Sequence, residues 1–272
     1  MINQVIQGDC LDILPTIKED FIIVTDPPFN IGYHYNNYND NMVADEYYEM
    51  LGEVFGGRKF VVVHYPEEIY KIAFQIGEFP EKVVSWIYNS NTAKQHRDIA
   101  FFGVKPDFKK LGQPYKNPTD KRIAKRIADG KEARGYDWWN INQVKNVSKD
   151  KTAHPCQMPL EVMENIIKLL PKDILIVDPF AGSGTTGVAC KNLNRDFILI
   201  EQDEKYCDII KARIGDIEIE KFDSNITEVP KELPITNSGK TTDNIITKCP
   251  FCGGKLKKTK YGKTCEDCLT DF

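Results

Sequence analysis

The chain has 272 residues, 41% of them hydrophobic and 28% charged, with a formal net charge of −4; that is room for one α/β core and a small appendage. No apolar run reaches the roughly 18 residues of a membrane-spanning helix, and Met1-Ile2-Asn3-Gln4-Val5-Ile6 lacks the basic-then-apolar order of a secretory signal, so no membrane association and a cytoplasmic setting are expected. The charge is uneven: residues 94–151 hold 15 Lys and Arg against 7 Asp and Glu, a local +8 inside a remainder of −12, so the small total does not exclude a nucleic-acid partner.

Short β-rich runs at 21–25, 60–65, 83–88 and 99–104 predict a sheet in the first hundred residues. The first of them runs into Asp26-Pro27-Pro28-Phe29. Two prolines fix φ and remove N–H donors, so the chain must turn rigidly at the strand's carboxyl end, the edge where open α/β sheets bind ligands. Alone, such a tetrapeptide also suits a plain structural turn. Apolar and aromatic residues in 44–55 recur at helical spacing, as in a crossover helix between parallel strands. After 104 the pattern decays into Lys-, Pro-, Gly- and Asn-rich sequence through 151, apart from a basic stretch at 121–133 that suits a helix. Trp138 and Trp139 in this region suit either a core anchor or a DNA-facing wedge.

Order returns at 159–170, where Pro159 precedes Leu160, Val162, Met163, Ile166, Ile167 and Leu170 at helical spacing. A strand at 174–177 then delivers Asp178-Pro-Phe180-Ala-Gly182-Ser183-Gly184-Thr185-Thr-Gly187, followed by a helix to 192, a strand at 197–201 and a helix at 203–214. The glycines let a ligand approach the backbone closely. Gly182, Gly184 and Gly187 satisfy G-x-G-x-x-G, and Glu201 ends the next strand where an acid would hold ribose hydroxyls. A nicotinamide-dependent oxidoreductase is therefore a rival reading, as is a tight turn with no ligand. Asp178 and Phe180 favour S-adenosylmethionine, because an acid suits the ammonium and an aromatic face tolerates the sulfonium, whereas a pyrophosphate would avoid the acid. Too little sheet follows Glu201 for the second half of a dinucleotide domain.

Taken together, Asp26-Pro27-Pro28-Phe29 and Asp178-Pro-Phe-Ala-Gly-Ser-Gly184 resemble the amino-group DNA methyltransferases over residues 1–214, and the order of the two motifs is similar to the permuted β group of that family. The resemblance implies a Rossmann-like α/β sheet of seven strands with the last one reversed, and a site-specific, S-adenosylmethionine-dependent DNA methyltransferase. It implies catalytic roles for Asp26, Pro27, Pro28 and Phe29 and cofactor contacts from Asp9, Asp178, Phe180, Gly182, Ser183, Gly184, Thr185 and Glu201. An exocyclic base amine is a poor nucleophile because its lone pair is delocalised; acceptors for both N–H hydrogens would return that lone pair to nitrogen and stabilise the charge that develops there. Phe29 would stack on the everted base. The segment Lys151-Thr-Ala-His154-Pro-Cys-Gln157-Met158-Pro-Leu160 is similar to the family element that helps close the methionine pocket, with methionine at 158 where lysine is usual. Aspartate before the prolines points to adenine N6; cytosine N4 needs the same acceptors and is the alternative.

In that family the region between the motifs reads the target, which gives the basic block at 94–151 a purpose, with Arg97, Lys109, Lys110, Arg122, Lys125, Arg126 and Arg134 as candidate phosphate contacts. DNA is then the partner, with a cognate restriction endonuclease as a possible second one. Residues 215–247 are acidic and polar, with Pro230 and Pro234, as in a linker. In the tail, 248–272, Cys249-Pro-Phe-Cys252 and Cys265-Glu-Asp-Cys268 stand twelve residues apart, a spacing that suits a zinc ribbon holding structural Zn²⁺. So short a piece cannot build a core without such a staple. Its six lysines against three acids leave open whether it touches DNA or a protein. A zinc-ribbon DNA-binding protein on a catalytically silent methylase fold is the alternative of another class, and the intact Asp26, Gly182 and Gly184 speak against it. Cys10, Cys156, Cys190 and Cys207 read as ordinary buried thiols.

Overall fold

The computed structural model describes residues 2–33, 40–145, 151–154 and 156–223, together with two strands at 256–259 and 262–265. The chain divides into two units, Met1–Thr227 and Glu228–Phe272.

In the first unit the elements run β1 (Asn3–Gln7), α1 (Cys10–Ile13), β2 (Phe21–Thr25), α2 (Ala44–Phe55), β3 (Lys59–His64), α3 (Pro66–Ile76), β4 (Lys82–Ile87) and β5 (His96–Phe102). There follow β6 (Gly112–Gln113), α4 (Lys121–Ala128), β7 (Ala133–Arg134), β8 (Trp138–Asn140), α5 (Leu160–Leu169), β9 (Leu175–Asp178), α6 (Thr185–Asn192), β10 (Phe197–Glu201), α7 (Glu204–Ile214) and β11 (Ile219–Lys221). Among the described residues nine strands form one sheet in the order β11-β1-β10-β9-β2-β3-β5-β4-β8. Alternate residues of each strand face opposite layers. Ile22, Val24, Val61, Val63 and Phe101 pack under α5, α6 and α7, while Ile23, Phe60, Val62 and Phe102 pack under α1, α2 and α3. On the second side Phe55, Phe60 and Phe102 stack in series, each pair of rings 4.4 Å apart.

The helix over 44–55 does join two parallel strands, β2 and β3. The expectation of seven strands with the last reversed needs correction on both counts. Seven strands make the central sheet, and three-residue strands, β11 and β8, extend its two edges. The reversed strand is β5, antiparallel to β3 and to β4, while every other pairing in the sheet is parallel. Eight residues separate β4 from β5, too few for a crossover, so the two strands form a hairpin and β5 must run backwards. The linker expected from 215 likewise begins later, because Ile219–Lys221 pairs with β1. Trp139, on β8, is buried in the core, whereas Trp138 is exposed and stacks on Tyr136 at 5.2 Å. Cys156 is exposed rather than buried; Cys10, Cys190 and Cys207 are buried as expected.

In the second unit β12 (Leu256–Thr259) and β13 (Gly262–Cys265) form an antiparallel hairpin that pairs Leu256 with Cys265. Cys249, Cys252 and Cys268, and the side chain of Cys265, lie outside the described residues.

Candidate active site

Strand direction assembles the site. In the row β1-β10-β9-β2 all four strands are parallel, so their carboxyl ends share one sheet edge. That edge carries Asp9 after β1, Glu201 at the end of β10, the glycine turn after β9 and Asp26 after β2. Chain order reverses between β9 and β2, the place where an open α/β sheet leaves a crevice. One cleft is lined there by Asp9, Asp26 to Phe29, Asp178 to Ser183, Thr185 and Glu201. The two motifs that lie about 150 residues apart in sequence thus face a common space. Gly184, in the left-handed conformation, caps α6 beside it.

At the Asp-Pro-Pro-Phe turn, burial pushes the Asp26 carboxyl up to about 7, against the pull of the Arg97 guanidinium and with a further push from Asp178. Its Oδ2 lies 3.6 Å from Arg97 Nη1, and its buried Oδ1 meets no hydrogen-bond donor among the described residues. Phe29 stacks on the His64 ring at 4.1 Å and carries the Arg97 guanidinium 4.6 Å from its ring centre. Its ring is therefore held between side chains of the protein and forms a wall of the cleft rather than a bare face. His64 is buried, and burial together with Arg97, Lys94 and Lys71 pushes it down to about 3, so the ring is neutral.

Across the cleft the Asp178 carboxylate accepts from Thr25 Oγ1 at 2.7 Å, Thr186 Oγ1 at 2.5 Å and the Phe180 N–H at 3.1 Å. It ties the end of β2 to the first turn of α6, and burial pushes it up to about 6. Glu201 accepts from the N–H of Gly182 at 2.8 Å through Oε2 and from that of Asp203 at 2.9 Å through Oε1; burial pushes it up to about 7. Each of its oxygens can accept one more hydrogen bond. Asp9 is exposed, caps α1 through the Leu11 N–H at 2.9 Å and accepts from Gln202 at 2.8 Å. Ser183 and Thr185 share the Arg213 guanidinium, at 3.1 and 3.0 Å. Gly182 has φ +51°, and a Cβ there would come within 2.8 Å of His154 Nε2. His154, Cys156 and Met158 close this part of the cleft.

The basic residues separate into two groups. Arg122, Lys125 and Arg126 are exposed on α4, with Lys109 and Arg134 exposed nearby along a shallow depression that Arg126 also lines. Lys110 donates to the Leu170 carbonyl at 2.6 Å and so caps the end of α5. Arg97 is the departure from expectation. As the second residue of the reversed strand β5, it enters the same edge at which the parallel strands end, and its side chain is only 14% exposed. A phosphate contact needs a cation on the outer surface; this one faces the cleft. Sequence reasoning also passed over Asp203, whose buried Oδ2 has no hydrogen-bond donor among the described residues, and the pair Tyr47 and His64 behind the turn. An acid two residues beyond the strand-ending Glu201 was the available signal for Asp203; nothing local marks Tyr47 or His64.

Among the described residues the cleft lining holds six acidic side chains, Asp9, Asp26, Asp40, Asp178, Glu201 and Asp203, against one guanidinium. Even with Asp26 and Glu201 partly protonated near neutral pH, acids outnumber the cation, a balance that suits a ligand carrying ammonium and sulfonium charges better than a pyrophosphate and so disfavours a dinucleotide. Among the described residues no helix is long and apolar enough to cross a membrane.

A family model described as DNA methylase, covering N6 and N4 enzymes, matches residues 21–212. M.HpaI, a type II methyltransferase of Haemophilus parainfluenzae, is 29% identical over 255 residues, 86% of this chain and 80% of that protein. The fold is shared with the crystal structure of the M1.HpyAVI–SAM complex, at a TM-score of 0.52 and 22% identity over 79% of this chain and 100% of that one. It is shared also with the cytosine-N4-specific PvuII DNA methyltransferase, at a TM-score of 0.54 and 17% identity over 81% and 96%.

Proposed function

The chain belongs to the N6/N4 DNA methylase family, and from that premise we propose that it transfers the methyl group of S-adenosylmethionine to the exocyclic N6 of adenine in DNA. The observation that carries this reading is the shared cleft: an Asp26 carboxylate with a buried oxygen lacking a donor among the described residues, beside a glycine turn on the neighbouring parallel strand. When bound, S-adenosylmethionine supplies an electrophilic methyl group. Asp26 and the Pro27 carbonyl accept the two amine hydrogens and return the lone pair to nitrogen, and the same acceptors stabilise positive charge as it grows there. Holding amine and methyl in line is worth roughly 7–11 kcal/mol. Phe29, fixed by His64 and Arg97, walls the site of the everted base.

For the cofactor, the donor set fits. Glu201 and the unsatisfied Asp203 Oδ2 offer acceptors to ribose hydroxyls, Asp9 lies at the far end of the same edge, and the Phe180-to-Thr185 turn lines the methionine end. Asp178, with three internal donors already on its two oxygens, acts by holding this turn in place. The exposed cations of α4, with Lys109 and Arg134, are the phosphate contacts of this reading. We assign structural Zn²⁺ to Cys249, Cys252, Cys265 and Cys268, supported by a hairpin that returns the chain to a position opposite its start between the two pairs; metal analysis of the purified protein checks the content, and one zinc per chain is expected.

The preference for adenine rests on aspartate before the prolines. Digestion of DNA from cells expressing the protein, with mass spectrometry of the nucleosides, tests it: N6-methyladenine is expected, N4-methylcytosine moves the assignment to the alternative base, and neither product overturns the reading.

A further inference from the structure

We propose that Arg97 is a positioning residue for this reaction: delivered to the cleft by the reversed strand, its guanidinium supplies charge that keeps the Asp26 carboxylate ionised while leaving the acceptor lone pairs unused. The proposal rests on the reading of Asp26 as the amine's acceptor.

The geometry differs from an ordinary arginine–carboxylate fork. Arg97 Nη1 stands 3.6 Å from Asp26 Oδ2, close enough for electrostatic attraction in a buried setting and too far for a hydrogen bond. Aromatic surfaces hold the guanidinium there instead. Its central carbon lies 4.6 Å from the Phe29 ring centre, 5.4 Å from that of Trp86 and 5.7 Å from that of Tyr65, and Nη1 reaches the Met158 sulfur at 3.7 Å. A planar cation stacked on rings keeps its place without gripping the acid. Asp26 Oδ1 and Arg97 Nε are both buried without hydrogen-bond partners among the described residues. Asp26 thus keeps Oδ1 clear of any donor among the described residues for an incoming amine, in contrast to Asp178, which spends both oxygens on internal donors.

Charge is what Asp26 lacks on its own. Burial and the nearby Asp178 favour its protonated form, and Arg97 is the cation that opposes them. A protonated carboxyl would present a hydrogen where the amine must place its own. The other titratable groups facing the pair are Tyr65, Tyr88 and Cys156 around the guanidinium and the neutral His64 beside Phe29. Lys94, whose Nζ lies 3.7 Å from the Tyr65 ring centre, is a further cation on this side, but it is half exposed and paired with Glu67 at 3.4 Å, so it does not replace Arg97 at Asp26.

The test is single-turnover methyl transfer to unmethylated DNA at saturating S-adenosylmethionine, followed from pH 5.5 to 9. With wild-type protein the rate falls on the acid side as Asp26 protonates. Arg97→Met should move the midpoint of that limb up by about one pH unit or more, with the rate recovering at high pH, while Arg97→Lys, which keeps the charge, should hold the wild-type midpoint. Asp26→Asn should flatten the limb, and adding Arg97→Met to it should shift nothing further. An unchanged midpoint in Arg97→Met overturns the proposal, as does a loss that persists at pH 9 with cofactor binding intact. Should Arg97→Met not fold, Arg97→Gln reads the same midpoint with a polar, uncharged side chain. If Asp26→Ala retains full transfer, the reading of Asp26 itself fails, whatever the Arg97 variants show.

Discussion

Tyr47 donates its phenolic hydrogen to the carbonyl oxygen of Pro28 at 2.7 Å. Behind it, His64 Nδ1 accepts the Tyr65 N–H at 2.8 Å, which leaves the hydrogen of the neutral ring on Nε2, 3.0 Å from the Tyr47 oxygen. A directed chain of donors therefore runs from β3 through α2 into the rigid turn and fixes the Pro28–Phe29 peptide, one residue beyond the Pro27 carbonyl.

Removing one link of that chain should loosen the turn without touching the cofactor side of the cleft. Tyr47→Phe is expected to slow methyl transfer about tenfold, the equivalent of about 1.4 kcal/mol, with the affinity for S-adenosylmethionine unchanged. Single-turnover rates and calorimetric titration separate the two effects; an unchanged rate would show that the Pro28 carbonyl does not matter to the chemistry.

The glycine turn makes the complementary prediction. Gly182 combines φ +51° with a Cβ position 2.8 Å from His154 Nε2, so alanine there is strained twice, by the backbone and by a buried imidazole that must move. Gly182→Ala should weaken S-adenosylmethionine binding at least about tenfold, roughly 1.4 kcal/mol. Calorimetry reads this directly, and wild-type affinity would remove the turn from the cofactor site.

Glu201 yields a pH signature in the ligand-free protein. Its folded value of about 7 lies above its ordinary value of 4.5, so between the two the folded state holds a proton that the unfolded state has released. Stability from this group therefore rises as pH falls from 8 towards 5 and is lost as pH rises through 7. Asp26 and Asp178 act in the same direction. His64 and His154, pushed down to about 3 and about 4, act in the opposite one, withdrawing stability below their ordinary value of 6.5. The Glu201→Gln variant isolates the first contribution: from pH 8 to pH 6 wild type should gain on it by about 1–2 kcal/mol, a tenfold change in proton affinity being worth about 1.4 kcal/mol. Parallel denaturation profiles would refute the assignment.

The sequence was most legible where a strong pattern met a strong element. The run 159–170 foretells α5 at Leu160–Leu169, because proline, then apolar residues at helical spacing, admit little else. The two motifs are legible for the same reason: prolines and glycines constrain the backbone locally. Elements whose stability comes from neighbours were not. β1, Asn3-Gln-Val-Ile-Gln7, is a strand only because β10 and β11 flank it, and its polar residues hide the alternation. α3 carries a local signal of its own, with Pro66 in its first turn, Glu67 and Glu68 beside it and Ile69, Ile72 and Ala73 on its buried face. Arg97 was illegible as a cleft residue, since a cation in a basic stretch reads as surface until the direction of its strand is known. That direction is set by a hairpin pairing β4 with β5, a relationship between strands that composition does not record.

In this reading Asp26 performs the chemistry, while the glycine turn and Glu201 on the neighbouring strands hold the cofactor. The most direct measurement is transfer of labelled methyl from S-adenosylmethionine to DNA by Asp26→Ala, taken beside a calorimetric titration of the same variant with the cofactor. A rate at least about 100-fold below wild type is expected, as for loss of a preorganised charge-stabilising group, with cofactor affinity within about threefold of wild type by the same titration. Turnover near the wild-type rate overturns the role assigned to Asp26.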